Sequence, residues 1–184
     1  MKKAFTLIEL VFVIVVIGIL AAFMIPSTRT NPAVDAAIQL ESHIRYTQHL
    51  AMIDDKFDAN NTRWYRNLWK IDFAGNQYDI VNDNFINGIS TPVFASEPLT
   101  QDVMQNIDLN ADFGVTITAS LGCGTDISFD HLGRPIIGDL NAIVGINTVY
   151  AGLLNAPCDI NLTNGADTAT IRIENETGYT RRIP

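Results

Sequence analysis

The sequence predicts an α+β protein in which a long N-terminal helix, half transmembrane and half amphipathic, packs on an antiparallel β-sheet or sandwich. Two observations predict this class. An apolar run opens the chain and a helical period continues to about Asp55, whereas the rest of the 184 residues consists of short segments of period two separated by turn residues. Helices and strands do not alternate along the chain, as a parallel βαβ sheet would require.

The first predicted element is a membrane span over residues 5–28. Leu10–Ile25 contains no charged residue, and Glu9 is the single ionisable side chain of the run that starts at Phe5. A bilayer span needs roughly 20 mainly apolar residues. The alternative is a cleaved secretory signal, whose apolar core is about 7–15 residues long and ends at a small-residue cleavage site. Here Met24-Ile25-Pro26 stands at that end, so we expect the span to be retained.

The residues around this span follow a further pattern. Two lysines form a short basic leader, a small residue, Ala4, precedes Phe5, and Glu9 lies four positions after Phe5. The apolar run that follows contains Gly18 and ends near Pro26. This arrangement closely resembles the prepilin-type signal of type IV pilins and pseudopilins, and the resemblance implies a pilin-like fold.

The resemblance implies a processed N-terminus. A prepilin peptidase would remove residues 1–4 by cutting between Ala4 and Phe5, and Phe5 would then be N-methylated. Ala4 replaces the glycine that usually precedes the cleavage point. Because alanine is the next smallest side chain, we expect cleavage to continue at a lower rate. Glu9 would pair with the freed Phe5 amine of a neighbouring subunit, since opposite charges attract strongly at low dielectric and each is unfavourable there alone.

The same resemblance implies partners and a location. The partners are other pilin or pseudopilin subunits, a prepilin peptidase/methyltransferase and an inner-membrane assembly platform, and no cofactor is expected. Lys2 and Lys3 precede the span and the next basic residue is Arg29, which predicts a cytoplasmic N-terminus and an exported remainder. We therefore expect a single-pass protein of the bacterial inner membrane with a periplasmic domain. The formal net charge of −8 argues against nucleic acid as a partner.

From Pro26 to Pro32 the helix either kinks or locally melts. The resemblance implies that it runs on through a kink, with Gly18 and Pro26 as the kink residues, into a second helical segment, residues 29–56. From Ala33 to about Asp55 the apolar residues return with a 3-4-3-4 spacing, which is typical of an amphipathic helix. The predicted stripe is Ala37, Leu40, Ile44, Thr47 and Ala51, widened by Val34 and Ile38. The predicted polar side is Asp35, Gln39, Glu41, Ser42 and Arg45.

Residues 57–184 are predicted to form a β-rich domain. Phe57–Arg66 has no clear period and is predicted as a loop. The predicted strands are Leu68–Phe73, Tyr78–Val81, Phe113–Ala119, Asp126–Phe129, Ile160–Thr163, Ala169–Glu174 and Tyr179–Ile183. Turns at Ala74-Gly75-Asn76 and Asn164-Gly165 predict two hairpins.

Two stretches of this domain carry a second resemblance. Ile127–Pro135 contains Phe129 and the pair Gly133-Arg134. It resembles the strand-turn motif of H-type minor pseudopilins and FimT-like minor pilins, and Ala169–Ile183 resembles their closing hairpin. His131 lies in the predicted turn with no nucleophile or metal partner at motif spacing, so a catalytic role is not favoured.

The remaining candidate sites rest on few residues each. Cys123 and Cys158 both belong to the part predicted to face an oxidising compartment, which favours one disulfide over two separate free thiols. Asp79–Asn87 offers oxygen ligands for calcium, but it lacks the regular ligand spacing of a calcium loop. Asp58–Thr62 and Asp159–Thr163 match an acidic N-glycosylation sequon, and such matches arise easily by chance in a chain rich in Asp and Asn.

Nothing in the sequence indicates an enzyme or a metal centre. His43 and His49 are six residues apart on the predicted helix and point to different faces. No Walker loop, HExxH, GxSxG or CxxC motif occurs. The sequence therefore predicts a minor pilin or pseudopilin, a structural subunit of a type II secretion pseudopilus or a type IV pilus. The alternative is a membrane-tethered periplasmic binding domain that does not polymerise.

Overall fold

The computed structural model describes residues 6–24, 31–86, 88–119, 123–142 and 146–183. Its contacts divide the chain into two units, residues 1–30 and residues 31–184. The first unit contains helix α1, Leu7–Met24. The second unit contains the other helices and the strands.

The second unit begins with helix α2, Pro32–Ile53. Asn31 caps this helix, because its Oδ1 accepts hydrogen bonds from the N–H groups of Ala33 at 3.1 Å and Val34 at 3.2 Å. Pro32 suits the first helical position, where a backbone N–H would have no partner within the helix. The helix predicted from Ala33 to about Asp55 is confirmed.

The predicted apolar stripe of α2 is buried along its length. Its buried members include Ala37, Leu40, Ile44, Thr47 and Ala51. Two assignments at its margins were wrong: Ile38 is 47% exposed, and Glu41 is buried instead of solvent-facing. Glu41 is buried because Arg45 and Arg182 pair with its two carboxylate oxygens at 2.7 and 2.8 Å. Burial of a charge requires such partners.

Short strands make up much of the remaining chain. The described strands are β1 Lys70–Ala74, β2 Gln77–Asn82, β3 Phe85–Ile86, β4 Ile89–Ser90, β5 Val93–Phe94, β6 Ile107–Asp108, β7 Thr116–Ala119, β8 Asp126–Phe129, β9 Pro135–Ile137, β10 Cys158–Thr163, β11 Thr168–Ile173 and β12 Thr180–Ile183. The other helical segments are α3, Leu109–Phe113, and the 3₁₀ turns Trp64–Asn67 and Ile146–Gly152.

The strands form two main antiparallel sheets. The first has the order β5-β2-β1-β8-β9, with β6 also paired to β2, and the second has the order β12-β11-β10-β7. Helix α2 contacts β1 and β8 of the first sheet and β10, β11 and β12 of the second. One helix therefore packs on both sheets. The α+β class with a helix on antiparallel sheets is confirmed.

The first sheet is covered on both faces. All four residues of β8 are buried. Ile127 and Phe129 belong to the main core beneath α2. Ser128 and Asp126 alternate to the opposite face. There a second apolar cluster of buried residues covers the sheet: Trp64, Tyr65, Leu68, Ile136, Leu140 and Val149.

Several predicted segments differ in their bounds. The predicted loop Phe57–Arg66 contains two buried aromatic residues, Trp64 and Tyr65, because it supplies the second cluster. The predicted strand Phe113–Ala119 begins only at Thr116, because α3 precedes it. Asp108 caps α3 through its Oδ1, and Gly114 ends it in a left-handed conformation. These two capping residues are the local signal of the helix.

Candidate assembly site

Glu9 lies in the first turn of α1. The Glu9 N–H donates to the Thr6 carbonyl oxygen at 3.1 Å and to the Thr6 Oγ1 at 3.4 Å. The Thr6 side chain thus caps the helix by accepting from the N–H of the residue three positions later, Glu9. This is one of the two hydrogen bonds of a capping box. The Glu9 residue is exposed.

The apolar side chains of α1 face outward on every side. From Leu7 to Leu20 the large apolar residues are 37–81% exposed within this chain. Exposed apolar area is unfavourable in water by about 25 cal/mol per Å². A helix that is apolar all round belongs in an apolar environment, either lipid or protein. Of the helices formed by the described residues, none combines the length and the apolar character that crossing a membrane requires.

The predicted site residues of the N-terminus fall partly outside the described range. Ala4, Phe5 and Pro26 lie outside the described residues, as do both ends of the predicted span. Gly18 lies inside α1, whose helical conformation continues on both sides of it. The cleavage, the methylation, the kink and the Glu9–Phe5 pairing therefore stay predictions.

Comparison with known families bears on this segment. Residues 1–25 match the prokaryotic N-terminal methylation motif. The chain therefore carries a prepilin-type N-terminus, which fits a type IV pilin-like protein or pseudopilin. No curated protein and no solved structure gives a significant match to this chain.

The two stretches of the second unit that carry the second resemblance meet beside α2. The Asp130 side chain is fully buried at the end of β8, and its Oδ1 accepts from the Leu132 and Arg134 N–H groups at 3.0 and 2.8 Å. The Arg134 guanidinium pairs with the Asp130 Oδ2 at 2.7 Å. These contacts fix the turn that links β8 to β9. His131, in the same turn, is exposed.

Gln48 of α2 joins this turn to the β11–β12 hairpin. Its Nε2 donates to the Gly133 carbonyl oxygen at 2.8 Å and to the Thr177 carbonyl oxygen at 2.9 Å. Gly178 fits beside them with φ +65°, and a Cβ at that position would lie 2.5 Å from the Gly133 oxygen. The sequence offered no means of bringing these separated stretches together.

A disulfide joins Cys123 and Cys158, whose Cα atoms are 5.2 Å apart. Both cysteines are fully buried. The bridge ties the segment that leads into β8 of the first sheet to β10 of the second sheet. It matches the pairing that the sequence favours.

The histidines of α2 occupy different surroundings. His43 is half-buried, and its Nδ1 lies 2.7 Å from the Tyr78 hydroxyl oxygen. Burial lowers the pKa of His43, and the Glu97 carboxylate opposes this shift only in part. His49 is exposed. The two side chains do not share a site.

A buried charged cluster lies on the second face of the first sheet, and sequence reasoning missed it. The Lys70 Nζ lies 3.3 Å from an Asp83 oxygen, 3.6 Å from an Asp126 oxygen and 3.9 Å from an Asp72 oxygen. The signal was the alternation of β1 and β8, which places Lys70, Asp72 and Asp126 on one face.

The electrostatics of this cluster follow from its burial and its excess of acids. Burial alone would lower the pKa of Lys70, but the carboxylates of Asp83, Asp126 and Asp72 outweigh it and raise that pKa. Burial, with repulsion from Asp126, raises the pKa of Asp72 to about 6. Asp83 belongs to the segment considered for calcium, and its carboxylate instead pairs with the Lys70 ammonium group. No three acidic, histidine or cysteine side chains of the described residues are grouped to hold a metal ion.

Proposed function

We propose that the chain is a minor pilin or pseudopilin, an assembly subunit anchored in the bacterial inner membrane by residues 5–28. The observation that carries the proposal is α1, which exposes apolar side chains on all sides within the segment that matches the methylation motif. Such a helix requires lipid before assembly and other helices after it. The periplasmic unit would then form part of the filament surface or tip.

Processing and pairing complete this proposal. A prepilin peptidase cuts between Ala4 and Phe5, and Phe5 becomes the methylated N-terminus. The exposed carboxylate of Glu9, one turn into the mature helix, pairs with the Phe5 amine of the next subunit. Intact-mass measurement of the membrane-extracted protein reports the cleavage, and a chain that still begins at Met1 would contradict it.

The pairing predicts that Glu9→Gln blocks assembly without preventing membrane accumulation. The substitution keeps the shape of the side chain and removes its charge. Removing one partner of a buried ion pair costs about 3–5 kcal/mol, which is more than about a hundredfold in an equilibrium constant. The measurement is an immunoblot that compares the sheared filament fraction with the membrane fraction of the same cells.

Two variants serve as controls for this experiment. Glu176→Gln makes the same chemical change at an exposed residue of the second unit, and normal incorporation is expected. Glu9→Asp keeps the charge on a shorter side chain and should retain part of the incorporation. Normal incorporation of Glu9→Gln would contradict the pairing. Absence of the unaltered protein from the filament fraction would instead favour a tethered binding domain that does not polymerise.

The choice between the two filament systems needs a deletion strain scored for two outputs. Loss of surface pili, twitching or DNA uptake with protein secretion intact would identify a type IV minor pilin. Loss of secretion alone would identify a type II secretion pseudopilin, and the resemblance of residues 127–135 and 169–183 to H-type and FimT-like subunits is compatible with either result.

A further inference from the structure

Lys70 is a buried amine held between carboxylates on neighbouring strands. Its side chain is 5% exposed, and those of Asp83 and Asp126 are 10% and 9% exposed. Asp126 lies on β8, beside β1 on one side, and Asp83 follows β2, beside β1 on the other. The amine is therefore fixed against two acids by the pairing of three strands.

The face that holds this group is closed by the second apolar cluster. Ser128 is the cross-strand partner of Lys70, and Ile136 of that cluster is the partner of Ser128. These three side chains lie in one row across the sheet. Charged groups in such surroundings lose their hydration. The single ammonium group of Lys70 lies within ion-pair distance of three carboxylates, those of Asp72, Asp83 and Asp126.

Two neutral polar groups complete the surroundings. Asn141 donates from its Nδ2 to the same Asp83 oxygen that faces Lys70, at 2.8 Å. The Ser128 Oγ is buried and has no hydrogen-bond partner among the described residues. An amide N–H formed at Lys70 would have this hydroxyl available as an acceptor on its own face of the sheet.

We propose that Lys70 and Asp83 form an intramolecular isopeptide bond. The Lys70 Nζ bonds to the Asp83 Cγ, and one Cγ–O bond breaks. The departing oxygen leaves as water with two of the three ammonium protons, and the third stays on the amide nitrogen. Nothing is oxidised or reduced, and no co-reactant is needed. The product replaces a buried ion pair by a neutral amide.

Neighbouring groups supply the proton transfers. Asp126, 3.6 Å from the Nζ, takes a proton from the ammonium so that the amine can attack, and returns it to the departing oxygen. The Asn141 amide polarises the Asp83 carboxyl group.

Asp83 is the acceptor rather than Asp126 for two reasons. Its oxygen is closer to the Nζ and accepts the lysine hydrogen bond. It also lies beyond the end of β2, outside the strand, whereas Asp126 is the first residue of β8 and pairs in register with Asp72 of β1.

The test is the mass of the full chain extracted from membranes, reduced and denatured. The expected mass is that of the mature sequence minus one water, whereas Lys70→Arg, which keeps the charge, has its full sequence mass. Trypsin adds a second readout. Arg66 and Lys70 bound the peptide of residues 67–70, and trypsin cannot release it when the Lys70 amine is acylated.

Further variants locate the bond. Fragment spectra should join Lys70 to Asp83, Asp83→Ala should restore the full mass, and Asp126→Asn should lower the cross-linked fraction. If Asp83→Ala does not fold, the peptide map of the unaltered protein still decides. A full mass with release of peptide 67–70 overturns the proposal. A bond from Lys70 to Asp126 also overturns it. So does a mass lower by one water in a protein that trypsin still cleaves after Lys70.

Discussion

At the scale of single residues, burial determines which charge state His43 holds. The side chain lies against Tyr78 with only a partial counter-charge from Glu97. Because burial lowers its pKa below the ordinary value of about 6.5, the folded protein favours neutral His43. The unfolded chain takes up this proton at a higher pH than the folded one does.

His43 therefore predicts a loss of stability on acidification. The stabilisation from its neutral form is present above about pH 6.5 and is lost as the pH falls through the lowered pKa. We expect the free energy of unfolding, measured by denaturant titration in detergent, to fall less steeply below about pH 6.5 in His43→Gln than in the unaltered protein.

His49→Gln is the matched control for this prediction. Because His49 is exposed on the same helix, its replacement should leave the slope unchanged. Asp72, whose pKa is raised to about 6, contributes in the opposite direction, since its stabilisation is lost as the pH rises through that value. It is present in all three proteins, so the difference isolates His43. Equal slopes in the three proteins would contradict the prediction.

At the scale of elements, α2 connects the two sheets through its small and apolar residues. Ala33, Ala36 and Ala37 are fully buried, so the helix backbone can approach the strands closely. Leu40 and Ile44 then fill the space between helix and sheets. Because β1, β8, β10, β11 and β12 all contact this helix, a defect in α2 affects both sheets.

Leu40→Ala should lower the free energy of unfolding by about 2–5 kcal/mol, because it leaves a cavity in the core. Ile38→Ala removes a similar side chain from the same helix at a position that is 47% exposed, and it should change that free energy by no more than about 0.5 kcal/mol. Denaturation midpoints of detergent-extracted monomers measure both. A loss at Ile38 as large as that at Leu40 would contradict the assignment of the buried face.

At the scale of the whole molecule, the disulfide restrains the unfolded chain. Cys123 and Cys158 are 35 residues apart. In the chain-entropy model a loop of this length stabilises the folded state by about 4 kcal/mol. Replacing both cysteines by serine should lower the free energy of unfolding by about that amount, measured by denaturant titration.

Reductant provides the internal control for the disulfide prediction. It should destabilise the unaltered protein to a similar extent and leave the double serine variant unchanged. A double variant as stable as the unaltered protein would show that the bridge does not restrain the unfolded state.

The parts of this fold that were predictable from sequence are those with local causes. The spacing of apolar residues predicts α2, and Gly75, which adopts φ +69°, marks the turn between β1 and β2. The methylation motif was also recognisable from the sequence, because its residues are contiguous. At the β10–β11 hairpin the same reasoning was too simple, since the loop spans Asn164–Asp167 instead of two residues.

The parts that were not predictable depend on contacts between distant segments. Trp64 and Tyr65 lie in a polar stretch without a period, yet Ile136 and Val149 bury them. From the alternation of its strand, Lys70 would be assigned to the solvent-facing side, but in the structure Asp126 of β8 lies beside it. Glu41 reads as polar surface until Arg182 pairs with it. Each case needs a pairing that no local pattern encodes.

The pairing of Glu41 with Arg182 has a consequence for the order of events in the cell. The two residues are 141 positions apart. Arg182 lies on β12, and Arg45 of α2 also donates to this strand, to the Thr180 carbonyl oxygen at 2.6 Å. During synthesis the residues of α2 are made early, and they cannot form these contacts until the residues of β12 have been made. Contacts so distant in sequence form slowly. The buried face of α2 therefore lacks part of its contacts until the residues of β12 have been made.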